Sequence, residues 1–357
     1  MQNYEFPIFK TKVKGVTRAF QLDDPAERKK YFEAKVGKEI KKLRAYLDKN
    51  TFVGFLLGPK NSGKGTYSKL FKEAVGESHV RHISVGDIVR SVHKDFESPA
   101  KKRQLIAYLK TKYRGTTPLE DAIDALLGRS TKTLLPTEIT LALVEREIAK
   151  SEKKAIFIDG FPRSLDQISY SLYFRALMGY REDPDFFVFI DVPEAVIDER
   201  MKYRVVCPIC QTPRSIKLLK TKEVGYDKKT EKIYLICDNP GCKKARLITK
   251  EGDNLGIEAI RERIEADKEV MKTLLKLEGV PKIYLRNAIP KAKAKEYVDD
   301  YETTPSYRYE VDKKTGSVKV IEEPWVVKDE KGTPSYSLLP AAIVVSLIKQ
   351  ITKVLEL

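Results

Sequence analysis

Phe52-Val-Gly-Phe-Leu-Leu-Gly-Pro-Lys-Asn-Ser-Gly-Lys-Gly-Thr66 sets an apolar run, a glycine-bounded loop, a lysine and a helix-forming stretch in one order. Phe52 to Leu57 is apolar or Gly throughout, the pattern of a strand buried on both faces of a parallel sheet. Gly58 and Gly63 let the loop turn with its backbone N–H groups inward, and a helix starting near Gly63 adds its positive N-terminal end. Ser62, Gly63, Lys64, Gly65 and Thr66 then line an anion nest, with the Lys64 ammonium reaching the outer phosphates of a nucleoside triphosphate. Gly65 stands where the commoner form has Ser or Thr, and Thr66 follows it.

Working outward, Val80 to Val85, Ala155 to Ile158 and Phe186 to Ile190 are short apolar runs, each followed by a helical pattern. They predict parallel βα units, with ligand groups gathered at the strand C-termini. Asp24-Pro25-Ala26-Glu27 reads as a capping box, and Phe32, Val36, Ile40, Leu43 and Leu47 then follow helical spacing, predicting an amphipathic helix over about 25–48. Ser337 to Leu355 predicts another. Asp95 to Lys132 is basic with a helical pattern, and Tyr297 to Thr333 carries the turn signals of a hairpin.

The chain has 357 residues and a formal charge of +16, which suits nucleotides and nucleic acids alike. Fourteen Lys/Arg against four Asp/Glu between Arg200 and Lys250 supply +10 of that excess. The same stretch holds every cysteine: Cys207-Pro-Ile-Cys210 and Cys237-Asp-Asn-Pro-Gly-Cys242. Two close pairs on tight turns are what two knuckles gripping one structural zinc look like, and four thiolates leave no open position for catalysis. Disulfides are the rival reading. Met1-Gln-Asn-Tyr-Glu lacks the features of a signal peptide and no run is long enough to span a membrane, so a reducing cytoplasmic setting and zinc are expected.

Five motifs now stand in one order: Gly58-Pro-x-x-Ser-Gly-Lys-Gly-Thr66, His82-Ile-Ser-Val-Gly-Asp-Ile-Val-Arg90, Leu135-Pro-Thr-Glu-Ile-Thr-Leu-Ala-Leu143, Phe157-Ile-Asp-Gly-Phe-Pro-Arg163 and Asp198-Glu-Arg-Met-Lys-Tyr-Arg204. Over about 51–275 the chain resembles the adenylate kinases, whose zinc-bearing members carry such a Cys-rich lid. The resemblance implies a P-loop core over 51–200 with a monophosphate-binding insert at about 84–150, and a zinc-binding lid over 201–255. Residues 1–50 would be an N-terminal extension, and 256–357 would return to the core and add the hairpin and last helix.

It also implies roles. Gly58, Ser62, Gly63, Lys64, Gly65, Thr66 and Arg200 would bind ATP, and Val85, Arg90, Leu135, Gly160, Arg163 and Gln167 would bind AMP. Arg163, Arg200, Arg204 and Arg263 would join Lys64 on the transferring phosphoryl group, which suits the planar, always charged guanidinium. Asp159 would fix magnesium through water, and Asp253 and Asn254 would sit in a hinge orienting Arg263. Arg246 or Lys250 would supply one remaining lid charge. His79, His82, His93 and Trp325 read as structural or surface residues. The implied reaction is ATP plus AMP giving two ADP, in a monomer with no membrane or specific nucleic-acid partner. Val85 replaces the family's usual threonine, which keeps a UMP or CMP acceptor open. A reading from another class is a zinc-ribbon nucleic-acid binder with a P-loop.

Overall fold

The structure, a computed structural model, describes residues 6–128, 135–151, 153–169, 184–249 and 253–357. Helix α1 (Pro25–Leu47) precedes β1 (Val53–Leu57), α2 (Lys64–Val75), β2 (Val80–Ser84) and α3 (Val85–Glu97). Then come α4 (Pro99–Lys112), α5 (Leu119–Leu126), α6 (Thr137–Ala149), β3 (Ala155–Asp159), α7 (Leu165–Ser169) and β4 (Asp185–Asp191). After helix Glu194–Lys202 the chain forms β5 (Arg204–Val206), β6 (Pro213–Ser215), β7 (Val224–Asp227), β8 (Lys232–Leu235) and β9 (Ile248–Thr249). Helix Arg261–Leu275 leads to β10 (Lys282–Arg286) and β11 (Ile289–Pro290). A short helix, Lys291–Tyr297, precedes β12 (Pro305–Val311), β13 (Val318–Pro324), β14 (Val326–Lys328) and β15 (Pro334–Tyr336), and helix Pro340–Val354 follows.

The central sheet has the order β10-β4-β1-β3-β2, and all its pairings are parallel. This is the fold class read from the buried apolar runs. Both faces are covered: Phe52, Phe71, Phe157 and Phe186 pack edge to face or tilted on one side, and Phe55, Phe187 and Phe189 fill the other. Full burial of such aromatic side chains contributes about 2–3 kcal/mol each before entropy is subtracted. The second strand stops at Ser84, one residue short of expectation, because the Ser84 side chain caps α3 by accepting from the Asp87 N–H, which puts Val85 in the helix.

Only half of the expected capping box forms at α1. Asp24 accepts from the Ala26 and Glu27 N–H groups, whereas the Glu27 carboxylate pairs with Arg18 and Lys30 instead of reaching back. The helix packs against α2 and the final helix Pro340–Val354. Lys35, whose side chain is fully buried, binds Asp299 at 2.6 Å and lies 3.4 Å from the buried Glu302, tying α1 to the C-terminal part of the chain. The expected hairpin is β12–β13, narrower than 297–333. Among the described residues no helix is long and apolar enough to cross a membrane.

Candidate functional site

Strand β1 ends between β3 and β4, with Leu56 opposite Asp159 and Leu57 opposite Phe189. The chain then turns through 58–63 into α2. Gly63 has φ 103°, a left-handed conformation open to glycine without strain, and a side chain at Gly58 would come within 2.8 Å of the Ile190 carbonyl. Ser62 is buried, and its hydroxyl has no hydrogen-bond partner among the described residues. The first turn of α2 has no side-chain cap, so its N–H groups and positive end are free for an anion. Gly65 and Thr66 are exposed there. Lys64 Nζ donates to the carbonyls of Gly58 at 2.7 Å and Pro59 at 3.0 Å and stands 3.8 Å from Asp159. Burial holds its ammonium below the ordinary lysine value, and Asp159 and Asp267 oppose that shift.

Lys64, Asp159, Gly160, Arg163, Arg263 and Asp267 line one pocket. The sequence motifs that carry these groups lie far apart, and the parallel sheet brings them together at its C-terminal edge. The Asp159 carboxylate oxygen that faces Lys64 is buried and, among the described residues, has no hydrogen-bond partner, an acceptor that fits a hydrated magnesium ion. His82, set aside by the sequence reading, is drawn in as well. Strand β2 pairs with β3 so that His82 lies opposite Phe157, and its Nε2 is 3.9 Å from Asp159. Burial lowers its pKa, with Asp159 opposing.

Gln167 is buried, and its Oε1 accepts the Arg163 N–H at 2.7 Å. Gln167, expected to bind AMP, therefore also holds the turn that carries Arg163. Val85 is buried, its Cβ 3.6 Å from where a side chain at Gly160 would begin, and Leu135 is half-buried against the same core. Arg90 is not brought to the pocket. It is exposed and pairs with Asp87 one turn back on α3, its nearest anion.

Arg200 and Arg204 stand at the other end of the loop. Arg204 donates from Nε and Nη2 to Asp253 at 2.5 and 2.6 Å and from Nη1 to Asn61 Oδ1 at 2.9 Å. Asp253 therefore holds Arg204, a correction to its expected partner Arg263, because the 253–260 turn packs on helix Glu194–Lys202, which ends just before Arg204. Arg200 reaches the Asn61 carbonyl at 3.5 Å, Asn287 Oδ1 at 3.4 Å and Ser337 Oγ at 3.5 Å. Buried Asn287 in turn binds Tyr67, Ser337 and both backbone groups of Leu338. Asn287, Ser337 and Asp267 carry no motif signal. Arg246 is already engaged, stacked 4.3 Å from the Tyr234 centroid and paired at 3.0 Å with Asp227, whose carboxyl it and nearby N–H groups hold at about 2. Lys250 lies outside the described residues.

The four cysteines converge, all Sγ atoms lying within 4.8 Å of one another. Cys210 Sγ and Cys237 Sγ are 3.7 Å apart, close to the ~3.8 Å edge of a tetrahedron with 2.3 Å zinc–sulfur bonds. Burial and the neighbouring sulfurs raise Cys242, while Thr212 lowers Cys210. Crowded thiols of this kind ionise together when a cation sits among them, so the donor set fits zinc.

A family model described as an AAA domain matches residues 57–205, from the phosphate loop to the start of the cysteine-bearing segment. The adenylate kinase of Clostridium novyi is 32% identical over 211 residues, covering 59% of this chain and 78% of that protein. That of Clostridium botulinum strain Hall is 33% identical with the same coverage. That of Clostridium tetani is 29% identical over 221 residues, covering 62% of this chain and 83% of that protein. With a parallel sheet, a phosphate loop and a pocket lined by cations already in place, this likeness over most of each relative's length means that the chain belongs to the adenylate kinase family.

Proposed function

We propose that the chain transfers the terminal phosphoryl group of ATP to AMP, giving two ADP. The observation that carries this is the convergence of Lys64, Arg163, Arg263 and Asp159 in one pocket at the C-terminal edge of the sheet. Phosphoryl transfer spreads negative charge over the moving group, and fixed cations that need no reorganisation lower its barrier most. The α2 N-terminus and Lys64 would hold the ATP phosphates. Arg163 would align the monophosphate, and Arg263 would join it on the transferring group. Arg200 and Arg204, anchored on Asn61, would clamp the loop once nucleotide is bound. Asp159 would hold magnesium through water, and the ion would supply positive charge against the phosphates. Arg90 would have to leave Asp87 to reach the monophosphate. The four cysteines would hold a structural zinc that staples the lid.

A coupled assay for diphosphate formation tests the acceptor. Among the described residues no hydrogen bond engages the Gln167 side-chain NH2, which leaves it to a base edge, and a site built to hydrogen-bond one base leaves buried groups unpaired with another. The expected kcat/KM for AMP exceeds that for UMP, CMP and GMP by at least ~100-fold. Gln167→Glu keeps the acceptor for Arg163 and should lose most of the preference, while Val85→Thr should change it little. Equal efficiency with UMP would remove the preference for AMP and leave the kinase class standing.

A further inference from the structure

Asp267 has no place in the motifs, yet it lines the same pocket as Lys64, Arg163 and Arg263. It lies one turn after Arg263 on helix Arg261–Leu275, so the helix that brings a cation to the pocket also brings an anion. Its carboxylate attracts Lys64 and Arg163, is repelled by Asp159, and accepts a hydrogen bond from the Lys60 N–H in the phosphate loop. These groups act on it most strongly, and Arg263 stands one turn back on its own helix. The attraction is also visible from Lys64, where Asp267 follows Asp159 in favouring the charged ammonium.

A fixed carboxylate beside a seat for phosphate oxygens opposes the ligand. In the empty pocket the same carboxylate is useful, because buried cations without a counter-ion are costly and repel one another. We infer that Asp267, sharing the pocket with Lys64 and Arg163, is a built-in partial substitute for phosphate, which offsets part of their charge in the empty pocket beside Asp159 and opposes nucleotide phosphate there, so that it tunes nucleotide affinity. This rests on the reading that the pocket receives nucleotide phosphate.

A pH dependence follows. Burial holds the Asp267 carboxyl above the ordinary value, with Lys64 and Arg163 opposing, and bound phosphate would raise it further. The protonated carboxyl does not compete and the ionised one does. The handicap is therefore absent below its pKa and grows as pH rises through it. A one-unit rise on binding corresponds to about tenfold weaker binding to the ionised form.

Calorimetric titration of the full chain with ATP, at constant magnesium, tests this without relying on turnover. Asp267→Asn should bind ATP about tenfold more tightly at about pH 8, and Asp267→Glu, which keeps the charge, should match the wild type. The difference between wild type and Asp267→Asn should shrink as pH falls, and because both titrate the same ATP, protonation of the nucleotide cancels. Equal or weaker binding by Asp267→Asn overturns the inference. Weaker binding with a greater magnesium requirement would make Asp267 a metal-water anchor instead. If the wild type binds no ATP, the reading of the pocket falls as well.

Discussion

The cysteine-bearing segment and the C-terminal segment are both additions around one sheet, and they are held in opposite ways. The first has a core of its own, built from Val205, Leu235 and Leu247 with Cys207 and Cys242. Five buried residues cannot offset the entropy of ordering its short strands, so the sulfurs serve as a staple. The second has no separate core. Ile289, Ala294, Val298, Trp325 and Leu338 join the main one, and Lys35 anchors Asp299 and Glu302 from across the chain. A segment that lies on a large body can share its core, whereas one that joins that core mainly through Leu218 needs a crosslink. The two also touch. The Tyr307 N–H donates to the Lys217 carbonyl at 2.7 Å, and the Tyr309 hydroxyl donates to the Ile216 carbonyl at 2.5 Å.

Metal removal would break the contrast most severely. We expect about one zinc per chain, contributing on the order of 10 kcal/mol to local folding. Chelation or Cys237→Ser should expose 204–249 to protease before the rest melts, and reduced protein containing no zinc would end the staple argument.

Next in size is a test that the reactive pocket belongs to neither addition. Lys64→Ala and Arg163→Ala should each lower turnover by at least ~10³, about 4 kcal/mol of barrier, with unfolding unchanged. Near-normal turnover at saturating nucleotide would show the pocket to be misassigned.

The ionic anchor is tested by Lys35→Met, which leaves two carboxylates facing each other with a buried cation removed. A loss of about 3 kcal/mol in denaturant unfolding is expected, and a loss below ~1 kcal/mol would mean that apolar packing alone holds the C-terminal segment. The smallest effect should come from Tyr309→Phe, about 1 kcal/mol, read as faster amide exchange at Ile216 to Leu219. Unchanged exchange would show that the two additions do not brace one another.

The parts of the site that could be read in advance are those where one local stretch carries the physics. The apolar run 52–57, the glycines of the loop and the paired cysteines each specify a backbone shape or a donor set within a few residues. Arg90 fails this test because its chemistry depends on what lies opposite, and the nearest anion is Asp87 on its own helix. Gln167 is partly spent on the Arg163 N–H, a use that only the turn geometry reveals.

The sequence by itself determined a parallel α/β sheet, a phosphate loop before a helix and a four-sulfur cluster, because each is encoded at short range by periodicity, glycine and thiol spacing. Only the tertiary structure decided that Asp253 grips Arg204, that His82 faces Asp159, that Asn287 and Ser337 stand beside Arg200, and that Asp267 shares the pocket with Lys64. Those pairings join residues tens to more than a hundred positions apart, and electrostatics acts through space, so no local pattern records them.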